Sequence, residues 1–565
     1  MQFVRADIIK FIKKYELILV LLGCILISFV IFWGLWDTFY QQDEWLGLGQ
    51  AFALKWGVVT SGISPVGAIF AEGRPLSRLF GFVLVKYFPY DSLVPSLYGI
   101  FLHSINSFIV FLISRKLLRS NGLGIVATIF FLATSVSHQS ITWFAASFGL
   151  QPAAFFTFLS VWLYLLFLDH LKYKYFLLSI SSAFISLYFK ESGIFVFVLF
   201  PVIPFLLKRK IPFVSYLKLS LPIIIGVTIF GCYRIFQIAF VNTYNGPTVY
   251  ANSGMTNLFP ILIMRSILYP FTSFSLVYFP SPISTFIAFL LKDLYYPFIV
   301  DRPDRVVFTS ILDNFAIICS FILSIMIFQF WKKYPKYRNA IVFSITFFIL
   351  SILPYILISK EYSYMEPRYY YLTNMASGII LAVFFDVFTR RKGFVYLLST
   401  LFALYIFFQI VIIQQDIGIQ KGIATERRSY LSQLNTLLPT VNSNSNLFLL
   451  AGSKSLWKEG NYTPFQHGFG YSIMALYYKS GKIPKELLAS QFLWDIGEEG
   501  YREVNGKKFG FFYDTNHLAQ VVKKNKLNIN DIHAFYYNFE DRRLFDISGR
   551  IRKEVEATNS AKLIN

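Results

Sequence analysis

Apolar residues in this chain come in long unbroken runs, not in alternation, and the runs recur from Leu17 to Ile413. The first group is Leu17–Trp36, Leu93–Leu118, Leu123–Ser135, Phe148–Leu168, Tyr175–Phe189, Ile194–Leu207 and Val214–Phe240. After an interruption come Phe308–Trp331, Ala340–Ile358, Leu372–Phe388 and Phe394–Ile413. Most approach the ~20 residues an α-helix needs to cross the hydrocarbon. A barrel strand would alternate with a period of two, so the pattern predicts helices. The runs at Leu123 and Tyr175 are short for a free span and predict interior helices shielded by neighbours. Between Val241 and Val306 lie two further runs, Leu258–Phe279 and Ile283–Val300, broken by Pro260, Pro270, Pro280 and Pro282. They predict either a further pair of spans or amphipathic segments on the outer surface.

Beyond Gln414 the pattern changes. Strand-like runs at Leu447–Leu450, Phe509–Tyr513 and Ala534–Phe539 alternate with helix-like stretches at Tyr471–Lys479 and His517–Lys526. Asn505-Gly506 is a hairpin signal. The expected fold is an all-α polytopic membrane module of about 11–13 transmembrane helices, followed by a small C-terminal α/β domain. The module covers 1–415 and the domain 416–565. A first outer loop falls at about residues 37–92 and an outer or re-entrant region at about 241–306.

Composition supports this division. Of 565 residues 55% are hydrophobic and 15% charged, with mean hydropathy +0.54. A soluble domain carries roughly 25% charged residues. A formal net charge of +21 would suggest nucleic acid in a soluble protein. Here the excess sits largely in short loops, at Arg5, Lys10, Lys13 and Lys14, Arg115, Lys116 and Arg119, Lys172 and Lys174, Lys208–Lys210, Lys332, Lys333, Lys336 and Arg338, and Arg390–Lys392. It reads as a topology signal, and no nucleic-acid partner is expected. With the N-terminus inside, every one of these loops is cytoplasmic, as the positive-inside rule asks. The C-terminal domain then lies outside. Cys24, Cys232 and Cys319 all fall in apolar runs, so no disulfide framework is implied. The first run follows Lys13 and Lys14 as in a signal peptide, but lacks a small-residue cleavage site and is expected to stay as an anchor.

Ionisable residues near helix ends on one face are where function is sought first in such a protein. By the topology above, Asp43 and Glu44, His138, Lys190 and Glu191, and Glu366, Arg368 and Tyr369 share the outer face, with Arg74 in the first outer loop. Paired carboxylates facing several cations suit transfer to a hydroxyl: a carboxylate takes the acceptor's proton and the cations hold a departing phosphate. Paired carboxylates also suit a divalent cation, the one cofactor considered. Each cluster has a plainer reading. Asp43-Glu44 fits a solvated loop, Lys190-Glu191 an interfacial ion pair, Arg368 an aromatic-belt anchor, and His138 a structural imidazole. His103 and Asn106 lie mid-helix and predict interhelical hydrogen bonds. No phosphate-binding glycine loop, HExxH or cysteine-rich metal spacing occurs.

In order along the chain, Asp43-Glu44, Gly73-Arg-Pro-Leu76, Leu102-His-Ser-Ile-Asn106, Ser137-His-Gln-Ser140 with Trp143, Lys190-Glu-Ser-Gly193 and Glu366-Pro-Arg-Tyr-Tyr-Tyr371 resemble a GT-C superfamily glycosyltransferase. The resemblance is to the protein O-mannosyltransferase-like branch (glycosyltransferase family 39-like) of bacterial type. It implies a polyprenyl-phosphate or -diphosphate sugar donor and an acceptor hydroxyl on a glycan, lipid or protein. It also implies inversion at the sugar and a hexosyl or pentosyl group transferred at the cytoplasmic membrane. Asp43 would be the general base with Glu44 beside it, and Arg368, with Lys190 or Arg74, would bind the lipid phosphate. In that branch the arginine usually follows the glutamate directly; here Pro367 intervenes. Two rivals make different demands. A transporter or lipid flippase requires ionisable groups at mid-membrane and interrupted, repeated helices. A non-catalytic membrane scaffold does not require Asp43, Lys190 and Arg368 to meet.

Overall fold

The computed structural model describes residues 2–41, 44–45, 47, 74–88, 90–207, 213–236, 255–295, 304–357, 365–390, 393–441, 447–451, 468–477, 484–488, 490–495 and 497–561. The chain divides into two compact units. The first comprises Met1–Trp33, Ala71–Arg78 and Leu97–Gln415; the second Gly34–Phe70, Leu79–Ser96 and Asp416–Asn565.

The helices are α1 (Gln2–Ile31), α2 (Pro75–Tyr87), α3 (Leu93–Leu118), α4 (Asn121–Ala133), α5 (Phe144–His170), α6 (Tyr173–Phe189) and α7 (Phe195–Leu206). They continue with α8 (Phe213–Phe236), α9 (Met255–Leu276), α10 (Ser281–Tyr295), α11 (Asp304–Lys333), α12 (Arg338–Ile352), α13 (Thr373–Thr389) and α14 (Phe394–Leu437). Among the described residues six helices are long and apolar enough to cross a membrane, and this is a polytopic membrane protein. Two ends of the apolar runs moved. The first helix stops at Ile31 and the chain turns at Gly34, whose φ of 79° suits glycine, into a 3₁₀ turn at Leu35–Asp37. The last does not stop at Ile413 but runs to Leu437, because a stripe of buried side chains (Ile413, Ile417, Ala424, Tyr430, Leu434) continues its inner face past the apolar run.

Within the first unit, the two short helices are interior ones, as their lengths predict. Helix α4 is capped by Ser120, which accepts the Leu123 amide, and buries Ala127, Phe130 and Phe131 against α13. Helix α6 packs along α5. At one end of the bundle the basic residues meet acidic partners: Lys116 with Asp169, Arg115 with Glu16, and Lys336 and Arg390 with Asp386. This is the basic end. The stretch α9–α10 turns back before reaching it. Arg265 is level with the Ile356 carbonyl, 3.3 Å away. Further on, the Ser275 amide donates to Ser320 and its hydroxyl to the Ala316 carbonyl, both near the middle of α11. The turn itself is held by Tyr278 on the Ser377 carbonyl and by Tyr405 on the Tyr278 carbonyl. The pair is a helical hairpin whose turn end lies beside the middle of α11, and its prolines Pro260 and Pro270 lie within α9.

The second unit is built on a five-stranded sheet in the order β2-β3-β1-β4-β5, with β1 (Leu447–Ala451), β2 (Gly500–Val504), β3 (Lys507–Phe512), β4 (Ile532–Asn538) and β5 (Arg543–Asp546). The central strand β1 pairs in parallel with β3 and β4, and both edges are antiparallel. The two-residue Asn505-Gly506 turn, with φ of 50° and 72°, joins β2 to β3. Side chains alternate as strands require. Phe509, Phe511, Phe535 and Tyr537 pack on one face with Tyr430 and Leu434 of α14 and with Phe469–Tyr477. Phe512, Ile532 and Ala534 pack on the other with Leu518, Val522, Ile551 and Val555 from helices Thr515–Asn525 and Ser548–Ala561. It is a small α/β fold, and its edge strands β2 and β5 were not evident in the sequence pattern.

The α4–α13 contact is tight enough to test. A Cβ added at Gly378 would lie 2.7 Å from the Ala127 carbonyl oxygen, whereas one at Gly23 meets nothing within 4 Å. Gly378→Ala should lower the thermal unfolding midpoint in detergent, by the equivalent of about 1–3 kcal/mol of overpacking, and Gly23→Ala should leave it unchanged. Equal midpoints for the two variants would show that α4 and α13 are not packed this way.

Candidate functional site

At the end of the first unit opposite the basic loops, four chain segments converge. The first is Arg74, just before α2. The second is the pair of turns Ser135–Ser137 and Gln139–Thr142 leading to Trp143. The third is Lys190-Glu191 between α6 and α7, and the fourth is the 3₁₀ turn Pro367–Tyr370. Pro367 opens that last turn at a position where its missing amide is not needed. The turn packs on the Ser135–Ser137 and Gln139–Thr142 turns.

The charges are arranged in alternation. Arg74 grips Glu191 with two parallel bonds, Nε to Oε2 at 2.6 Å and Nη2 to Oε1 at 2.9 Å. Arg368 pairs with Glu366 and donates from Nη2 to the Tyr369 hydroxyl at 3.3 Å. The Arg368 guanidinium lies 4.4 Å from the Trp143 ring centre and 4.8 Å from that of Tyr369. Lys190 Nζ stands 5.7 Å from the Tyr369 ring and forms no ion pair within 4 Å among the described residues. Tyr355 stacks on Tyr369 with centroids 4.7 Å apart. The Arg74 and Glu191 side chains are 52% and 39% exposed. An ion pair so wet adds roughly 0–1 kcal/mol, so stability alone is a weak reason for holding two long side chains in bidentate register.

Desolvation, then the positive field of Arg74, pushes the Lys190 ammonium down to about 7, with Arg368 acting in the same direction and Glu191 and Glu366 opposing. Three cations and two carboxylates, drawn from positions 74 to 368, thus share one site. His138 lies beside it in the turn its own carbonyl organises, accepting the amides of Ile141 and Thr142, while Nδ1 hydrogen-bonds the Ser135 carbonyl.

Of the residues expected from sequence, Arg74, Lys190, Glu191, Glu366, Arg368 and Tyr369 are brought together. Asp43 lies outside the described residues. Glu44 belongs to the second unit, and it is not in a solvated loop: it is 4% exposed, accepts the Gln41 amide at 2.5 Å and donates its own amide to the Gln41 carbonyl. The buried Arg427 of α14 lies in its electrostatic reach and donates to the Tyr40 carbonyl at 2.8 Å. Arg428 binds the Asp37 and Thr38 carbonyls, and Lys421 the Asp37 carboxylate. These three cations, all within the second unit, hold Asp37, Thr38 and Tyr40 in place. They lie beyond the end of the apolar run, and the available signal was the apolar face formed by Ile417, Ala424 and Leu434, spaced seven and ten residues apart. Trp143 and Tyr355 were likewise given no role. Among the described residues no three of His, Cys, Asp or Glu gather as metal ligands.

No family model and no curated protein matches the chain. Among solved structures, it is similar to the crystal structure of ArnT from Cupriavidus metallidurans bound to undecaprenyl phosphate. The identity is 10%, the coverage is 87% of this chain and 96% of that one, and the TM-score is 0.33.

The position of Lys190 has a direct chemical consequence. A lysine normally titrates near 10.4 and resists acylation at neutral pH, whereas Lys190 should be half neutral near 7. Amine acylation followed by peptide mass spectrometry should mark Lys190 with a midpoint near pH 7, moving lower in Glu191→Gln because a charge that favours the ammonium is removed. A midpoint in the ordinary lysine range would refute the clustering of cations around it.

Proposed function

We propose that this protein is a GT-C-type membrane glycosyltransferase of the mannosyltransferase-like kind. In this reading it moves a hexosyl or pentosyl group, with inversion, from a polyprenyl-phosphate or -diphosphate donor to an acceptor hydroxyl on a glycan, lipid or protein. The observation that carries the reading is the assembly of Arg74, Lys190 and Arg368 around Tyr369 at a helix-end site, where a lipid headgroup and an aqueous acceptor can both arrive. Ion-paired arginines keep their forks oriented while retaining donors for a phosphate, and Lys190 adds an amine that forms no ion pair within 4 Å among the described residues. Trp143 and Tyr369 clamp the Arg368 plane. The gathering of these ionisable groups at a helix end, not at mid-depth, favours transfer over transport.

The chemistry is a single displacement. The acceptor oxygen bonds to the anomeric carbon as the bond from that carbon to the phosphate oxygen breaks. The acceptor proton passes to Asp43, and the electron pair leaves on the lipid phosphate, whose charge the three cations hold. Glu44, engaged by the Gln41 amide, holds the turn and is not the base. The N-terminus is assigned to the cytoplasm, and the cation site and the domain after residue 416 to the outside. Maleimide labelling of intact cells should then mark Ser453→Cys and spare Lys392→Cys.

Asp43→Asn should lower sugar transfer by about two orders of magnitude or more at unchanged thermal stability. Glu44→Gln should act mainly by lowering stability, because the buried negative charge facing Arg427 is lost. Near-normal transfer in Asp43→Asn would remove it as base. Deletion of the gene should lead the lipid-linked sugar donor to accumulate; its absence from extracted lipids would count against the reading as a whole.

A further inference from the structure

The α9–α10 hairpin leaves space behind it. Because its turn end lies beside the middle of α11, the halves of α11 and α12 nearest the basic end enclose a cavity of about 560 Å³. Its wall includes Pro270 above and Phe328, Trp331, Ile341, Ile345 and Phe348 below. The stretch from Ile341 to Ile349 that lines it runs about 12 Å along the helix axis. It is apolar throughout, apart from the hydroxyls of Ser266 and Ser324, which bond back to the Leu262 and Ser320 carbonyls of their own helices.

The cavity's end is basic. Arg338 lies against the lining residue Trp331, donating from Nε to the Trp331 carbonyl and from Nη2 to that of Lys332, with its guanidinium 5.3 Å from the Trp331 ring. Lys332 and Lys333 are exposed beside it and form no ion pair with any described residue. The nearby carboxylate Asp386 is already shared by Lys336, Tyr337 and Arg390. An apolar slot with cations beside one end, unpaired among the described residues, complements a molecule with a hydrocarbon tail and an anionic head.

We infer that this groove binds an anionic phospholipid from the leaflet that meets the basic end. An acyl chain fills the space under the hairpin, and the phosphate rests on Lys332, Lys333 and Arg338. The site is at the opposite end of the bundle from the Arg368 cluster and does not depend on the function proposed for that cluster. Clusters of Lys and Arg at the membrane surface draw anionic headgroups, and the paired slot gives the chain a fixed place.

The test uses the full-length protein reconstituted in nanodiscs of equal phosphatidylglycerol and phosphatidylcholine, then released into mild detergent. Native mass spectrometry reads the retained lipid. Phosphatidylglycerol should be enriched about tenfold or more over phosphatidylcholine. The double variant Lys332→Gln/Lys333→Gln, both exposed and therefore without consequence for folding, should lose most of that enrichment, and Ile345→Trp should lower total retention by filling the slot. Equal retention of the two lipids, unchanged enrichment in the double variant, or a polyprenyl phosphate as the retained species would each overturn the inference.

Discussion

The site end of the first unit depends on how one buried hydroxyl is held. Tyr371, fully buried, follows Arg368 by three residues and lies where the 3₁₀ turn gives way to α13. Its oxygen is 2.9 Å from His103 Nδ1, 3.1 Å from Asn106 Nδ2 and 2.9 Å from Gln151 Oε1. Gln151 in turn donates to the Ser140 carbonyl, in the turn that precedes Trp143. The same hydroxyl therefore ties α3 and α5 to both turns that carry the Arg368–Trp143 stack. The Tyr371 hydroxyl donates to Gln151 Oε1 and accepts from Asn106 Nδ2, while His103 places Nδ1 beside the same oxygen and Nε2 3.1 Å from the Leu132 carbonyl. Asn106 also donates to Gln151 Oε1, 3.0 Å away.

Such a network has little to do with net stability. Hydrogen bonds between membrane helices average about 0.6 kcal/mol. Its value is register: a polar group with no water to turn to accepts one arrangement, and the arginine three residues along inherits it. Charges obey the same constraint from the other side. They gather where headgroup and water are within reach, which leaves two polar ends. At the basic loops Arg115, Lys116, Lys336 and Arg390 meet acidic partners while Lys332 and Lys333 meet none among the described residues; the other end carries Lys190, which forms no ion pair among the described residues.

Hydrophobic periodicity made the membrane helices legible, because each apolar run is itself the cause of a span. The polar outliers His103 and Asn106 were readable for the same reason: a buried polar group in lipid must find a partner. The hairpin α9–α10 was ambiguous, since composition reports affinity for lipid and not depth; its turn is placed by Ser275 on the middle of α11 and by Tyr278 on the Ser377 carbonyl, one turn into α13. Helix α2 was hidden in a loop of mixed composition. In the second unit, β3 and β4 alternate strongly and were visible, whereas the edge strands β2 and β5 carry exposed polar residues such as Arg502, Glu503 and Arg543 that read as loop. The charged clusters themselves were legible as residues. That Glu191 holds Arg74, and Glu366 holds Arg368, depended on pairings across the fold that linear spacing does not encode.

Binding of a lipid-linked phosphate at the Arg74, Lys190 and Arg368 cluster can be read directly. Trp143 stacks on Arg368, so a short-chain prenyl phosphate entering the cluster should alter tryptophan fluorescence, with Trp143→Phe as the control that identifies the signal. A titration of full-length protein should saturate in the wild type, weaken in Arg368→Lys because the planar fork is lost, and weaken much further in Arg368→Ala. Prenyl alcohol, lacking the phosphate, should not compete. Identical titration curves for wild type and Arg368→Ala, at equal thermal stability, would contradict the central claim and leave Arg368 as an interfacial anchor.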